Sequence, residues 1–244
     1  MNHVIFSEST YNATLATVGN GIAGINTNMV RLSAGVARAL QIPLIPEWLA
    51  DLLTSSFEAI KSAVSAFLSK VGELLEGAAA PILFYKRAWD WSDDIKRPMV
   101  DVSDAISAEH LIDTEYWDGE GYRAYARAVS DQSGAASAVA DIGGSMATAL
   151  TVCATTGLAF YVALGVIIYK CVSVLIASIA AIGSGVFTIP GIAMLAGDIA
   201  VTSGEVLAAV SALVAVLATQ AGSMVSMKSA LDSFPGDDWP SATS

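Results

Sequence analysis

Apolar positions follow a helical rhythm from the start of the chain. Tyr11, Leu15, Val18, Ile22, Ile25, Met29, Leu32, Val36 and Ala39 recur at alternating steps of four and three. That spacing predicts a helix over 11–40 with a seam for a second helix. Ser9 and Thr10 are the predicted N-caps. Gln41 to Pro46 contains two prolines and reads as a linker. A broad apolar stripe follows, with Trp48, Leu52, Leu53, Phe57, Ile60, Val64, Phe67, Val71 and Leu75 along it. It predicts a second helix that stops near Gly77 and Pro81 and folds back on the first. Over 82–116 the pattern is less regular. Pro98 interrupts it, so short helices or turns are expected there.

From Tyr122 the rhythm resumes, and no proline intervenes until Pro190. One very long helix is predicted over about 120–182. Gly183-Ser184-Gly185 and Pro190-Gly191 bracket a turn, and a last helix is predicted to about Ser229. Three stretches carry no charge: 27 residues from Gly143, 27 from Cys171 and 22 from Val206. About 20 apolar residues suffice to cross a bilayer core. The expected fold class is therefore all-α, built of long antiparallel helical hairpins, with an apolar C-terminal hairpin. The expected divisions are an amphipathic helical region over 1–97, a turn and following helix over 98–142, the apolar hairpin over 143–229 and a polar tail over 230–244.

Composition agrees with this reading. Hydrophobic residues make up 54% of the chain and charged ones 14%, against about 25% charged in an ordinary soluble domain. Only seven of the charges lie beyond residue 142. A net charge of −11 leaves no basic face for nucleic acid. The early chain has no compact apolar run behind a basic start, so no classical signal peptide is expected. Cys153 and Cys171 on one continuous helix would stand about 27 Å apart, too far for a disulfide. They read as buried thiols.

Candidate chemistry is sparse. Gly19-Asn20-Gly21-Ile22-Ala23-Gly24 matches the dinucleotide fingerprint G-x-G-x-x-G. That motif works between a strand and a helix, and here it lies within a heptad seam. Small residues that admit a neighbouring helix are the simpler reading. The carboxylates Asp90, Asp93 and Asp94, and Asp113, Glu115, Asp118 and Glu120, do not follow a calcium-loop spacing. His3 and His110 are the only imidazoles, which leaves no Ser/His/Asp or Cys/His set. No catalytic, cofactor or metal site is assigned, and the chain is read as non-enzymatic.

Trp117-Asp118-Gly119 is the most informative short stretch. Gly119 permits a tight turn, Trp117 can plug a hairpin end, and Tyr122 and Tyr125 open an amphipathic helix. This resembles the WXG family of small helical hairpins exported by type VII (ESX) secretion systems. The resemblance covers about 101–142. It implies a secreted or surface-associated protein that pairs with a helical partner or with itself and carries no cofactor. The family's Tyr-x-x-x-Asp/Glu export signal does not follow the second helix. Tyr161 and Tyr169 precede Gly165 and Ser173, while Tyr116 and Glu120 have the spacing at the turn itself. Export would then require a partner to supply the signal. The apolar half extends the expectation to association with a membrane or an apolar partner surface, with oligomer or pore formation as its consequence. The alternatives are a constitutive small membrane protein with a soluble helical N-terminal part, and a soluble structural bundle.

One charge sharpens the expectation. Lys170 is the only charge between Asp141 and Asp198. A lone lysine at mid-bilayer costs about 2.5–3.5 kcal/mol, and an unpaired ammonium in a protein core is also costly. Reflection through a turn centred near Phe187 sets Lys170 beside Glu205. A tighter turn at Ser184 sets it opposite Asp198. Glu205 is the expected partner and Asp198 the second.

Overall fold

The computed structural model describes residues 6–41, 43, 45–107, 110, 117–183, 189–231, 239 and 240. Within the helices, the side chains of 181, 183, 189–203 and 228–231 lie outside that description. The described chain is helical, with no strand. In order come α1 (Glu8–Leu40), α2 (Glu47–Glu76), α3 (Ala80–Asp90), a π-helical turn (Trp91–Lys96), α4 (Arg97–Ala105), α5 (Glu120–Gly183) and α6 (Ile189–Leu231). The all-α expectation holds, and α5 runs unbroken for 64 residues.

Two compact units divide the chain. The first comprises Met1–Ala80 and Thr156–Val214, the second Pro81–Thr155 and Ala215–Ser244.

In the first unit, Ser7 caps α1 with extended backbone angles, and its side chain accepts from the Thr10 backbone N–H. The cap lies earlier than the expected Ser9 or Thr10 because the Tyr11 N–H already closes on the Ser7 carbonyl at 2.9 Å. Every seventh seam residue, Tyr11, Val18, Ile25, Leu32 and Ala39, is buried. Leu15, Ile22 and Met29 are partly covered at its margin. Pro46, extended and lacking an N–H, starts α2. Leu53, Ile60, Val64, Phe67 and Val71 form its buried stripe. The Tyr11 hydroxyl donates to the Ala78 carbonyl at 2.7 Å, just past the end of α2, which makes the two helices antiparallel.

α1 runs parallel to α5. A Cβ at Gly21 would collide with Ile168, one at Gly24 would lie 3.4 Å from Val172, and one at Gly35 would lie 3.5 Å from Ile182. Two of the three fingerprint-like glycines, Gly21 and Gly24, thus make a helix–helix contact in mid-helix. Gly19 has nothing within 4 Å. Asn28 is the buried polar side chain of this seam at 6% exposure. Its amide donates to the Gly24 carbonyl at 2.9 Å, while its Oδ1 has no partner among the described residues. That is a cost the core must carry.

In the second unit, Pro81 does not merely follow a helix. It occupies the first turn of α3, where its missing N–H costs nothing. Nor does Pro98 break the path. The π-turn immediately precedes it, with the Arg97 N–H bonded to the Ser92 carbonyl five residues back. A wider turn relieves the clash between a proline ring and the carbonyl four residues earlier. The run from Ala80 to Ala105 is therefore continuous, where short separate pieces were expected. It lies antiparallel to the first part of α5. Ser103 Oγ donates to the Ser133 carbonyl at 3.0 Å, and Ser133 Oγ returns a bond to the Ser103 carbonyl at 2.9 Å.

The glycines of α1 give a paired test. Gly21→Ala should lower stability, because overpacking costs about 1–3 kcal/mol and outweighs the gain of about 1 kcal/mol in helix propensity. Gly19→Ala should raise stability by up to about 1 kcal/mol. Thermal denaturation of both variants checks the packing; shifts of equal sign would contradict it.

Candidate functional site: an uncovered apolar helix pair

Among the described residues, the last two helices carry apolar stretches that are only partly covered. The hydropathy of α5 reaches 2.3 over an 18-residue window, and one third of that window is buried. Residues Gly204–Met227 of α6 reach 1.8 with only 6% buried. Both helices are long and apolar enough to cross a membrane, judged by length and composition.

The buried side of α5 in the first unit is specific. Leu164, Ile168, Cys171 and Leu175 are inside. Both cysteines are free and buried on this one helix. The opposite side is open. Val162, Val166, Tyr169 and Ile176 recur at steps of four, three and seven, so they share one face, and each is exposed. Leu207 and Val214 of α6 are 65% and 57% exposed. A helix apolar all round needs a cover, and contiguous apolar surface on a protein marks an interaction site.

Lys170 and Glu205 meet beside this face. Lys170 Nζ lies 2.8 Å from Glu205 Oε1 and 3.1 Å from Oε2. Both side chains remain partly open, at 53% and 36%. In water an exposed pair of this kind is worth about 0–1 kcal/mol. In hydrocarbon each charge alone would be far more costly, and pairing offsets only part of the desolvation that both would undergo there. Asp198, the second candidate, has its side chain outside the described residues.

Trp117 and Gly119 stand just before α5. Gly119 has φ +96°, a backbone that glycine adopts without strain. Trp117 is 45% exposed. Its ring packs against Tyr122 at 5.9 Å and Tyr125 at 5.2 Å, on the first turns of α5. The preceding described helix, α4, ends at Ala105, and residues 111–116, including Tyr116, lie outside the description.

Periodicity did not reveal the tyrosine pair at the end of α2. The Tyr11 and Tyr161 rings meet edge to face at 5.6 Å. Tyr161 donates to the Leu74 carbonyl at 2.7 Å, and Tyr11 donates to that of Ala78. Helix C-termini leave carbonyls without partners, and here two phenols from different helices satisfy them. Tyrosine on an otherwise aliphatic seam was the available signal, since a buried phenol needs an acceptor. Burial pushes the Tyr11 phenol above its ordinary range, and Tyr161 adds to the shift.

Among the described residues, no three His, Cys, Asp or Glu side chains converge into a metal-binding group. No family model, curated protein or solved structure matches the chain.

Two tests follow from this geometry. Tyr11→Phe should cost about 1–3 kcal/mol, because it strands a partly buried carbonyl. A phenol with a raised folded pKa stabilises the protein fully below its unfolded pKa of about 10 and loses that contribution as pH rises above it. Wild-type stability should therefore fall above that pH more steeply than that of Tyr11→Phe in an alkaline denaturation series. For the ion pair, Lys170→Glu and Glu205→Lys should each destabilise, and the double exchange should recover much of the loss. A double variant no better than the worse single one would show that the pair contributes nothing.

Proposed function

We propose that this protein works at a membrane, through helix packing and not catalysis, as a secreted or surface-associated protein of the type VII kind. The observation that carries the membrane part is the Gly204–Met227 stretch of α6, whose most apolar 18-residue window is only 6% buried. The exposed face of Val162, Val166, Tyr169 and Ile176 on α5 supports it. The export part rests on Trp117-Asp118-Gly119, with Gly119 in a left-handed turn and Trp117 seated on the helix that follows.

The ion pair favours assembly over simple insertion. Lys170 and Glu205 are partly open beside an apolar face. Turned toward lipid, that face would desolvate both charges. Turned toward a second copy or a water-filled lumen, it keeps them solvated or bridged. Oligomerisation in the membrane is therefore part of the proposal.

Flotation tests the membrane reading: full-length protein mixed with vesicles should rise with them in a density gradient. Protein that stays at the bottom would overturn it and leave a soluble bundle. Fractionation of producing cells tests the export reading. The chain should reach the medium or envelope, and its export should cease when the type VII ATPase is removed.

A further inference from the structure

In the second unit, a lysine at the end of the π-turn lies close against α5. Lys96 closes that turn and lies against Gly143-Gly144 of α5. A Cβ on Gly143 would stand 3.2 Å from the Lys96 backbone nitrogen. A Cβ on Gly144 would stand 3.3 Å from its Cδ and 3.4 Å from its Nζ. The two glycines therefore let the lysine stem lie flat along α5, with its ammonium close to the helix.

Beside it opens a groove of about 840 Å³, within the range of small-molecule sites. Lys96, Asp141, Thr148, Gln220, Ser223 and Met227 line it, on three helical segments of the same unit. Among the described residues, neither Lys96 nor Asp141 has an ion-pair partner. The groove thus offers one cation and one carboxylate that form no ion pair with each other. The Thr148 and Ser223 hydroxyls already donate to the Gly144 and Thr219 carbonyls, so toward a ligand they are acceptors.

The position along the chain completes the argument. Asp141 is the last charge before the uncharged run that begins at Ile142, and Met227 ends the run that begins at Val206. In a spanning helix the first charged residue lies at the level of lipid head groups. We infer that this groove binds the zwitterionic phosphate–ammonium head group of phosphatidylethanolamine, an inference that rests on the membrane reading above. The phosphate lies against the Lys96 ammonium and the Gln220 amide. The primary ammonium donates its N–H groups to Asp141, Thr148 and Ser223. No lining residue is aromatic, so the groove lacks the cage that recognises a quaternary ammonium. That chemistry separates ethanolamine from choline.

The test uses the full chain and three vesicle compositions: phosphatidylcholine alone, and the same lipid mixed with phosphatidylethanolamine or with phosphatidylglycerol. Binding should be about tenfold tighter to the ethanolamine vesicles, the worth of one charge-assisted contact. Glycerophosphoethanolamine in solution should compete that preference away. Asp141→Asn should abolish the preference while leaving binding to the other vesicles in place, whereas Lys96→Gln, which removes a contact to the phosphate that all three lipids share, should weaken binding to every composition. Equal binding to all three compositions, or a preference unchanged in Asp141→Asn, would overturn the head-group inference and leave the membrane reading standing. Should the chain bind no vesicle at all, the membrane reading fails. The groove is then judged by titrating glycerophosphoethanolamine and following the Gln220 side-chain amide by NMR: no shift overturns it, and a shift lost in Asp141→Asn upholds the head-group chemistry.

Discussion

The apolar surface of α5 sets the terms for everything around it. Its 64 residues carry enough hydrophobic area that leaving it in water would outweigh most other terms in a protein's stability. In the first unit the cover comes from α1 and α2, and it depends on backbone approach. Gly21, Gly24 and Gly35 bring α1 down onto Ile168, Val172 and Ile182. A side chain at Gly21 would intrude on the branched Ile168, which has few rotamers in which to yield. Once α1 lies so close, its heptad residues reach the core, and α2 closes over them.

Polar groups then fix what apolar packing leaves free. Two tyrosines tie the end of α2 to α1 and α5, through the Leu74 carbonyl in its last turn and the Ala78 carbonyl just beyond it. Lys170 and Glu205 join α5 to α6. These contacts contribute little net energy in water, but each is costly to misplace. They select one register among several that hydrophobic contact alone would allow. In the second unit the π-turn plays a related part. It accommodates Pro98, keeps the run continuous and brings Lys96 to Gly143-Gly144.

The cover is incomplete, and the proposed function rests on that. Among the described residues, one third of the apolar window of α5 is buried, and 6% of that in α6. A chain that buries most of its apolar surface needs no further partner. Among the described residues, this one leaves a face of valine, isoleucine and tyrosine open on α5, beside the Lys170–Glu205 ion pair. The proposed membrane role and the proposed head-group groove both take that surplus as their premise.

Much of this was legible in the residues. The heptad over 11–40, the linker ending at Pro46, the long proline-free helix to Gly183 and the last helix each follow from local periodicity and breakers, which act over a few residues. The opposition of Lys170 to Glu205 follows from reflection through one turn, given the need to pair a charge in an apolar run. The course of the helix through Pro98 was not legible, because a π-turn has no composition of its own. Neither was the cap at Ser7. Nor could periodicity say that Gly21 meets Ile168, that Tyr11 meets Ala78, or that Lys96 and Asp141 line one groove. Those pairings join residues far apart in sequence. Local pattern names the face a helix will bury, but only the packed tertiary structure decides which residue lies opposite, because that choice is made by the joint fit of shapes and the pairing of polar groups across helices.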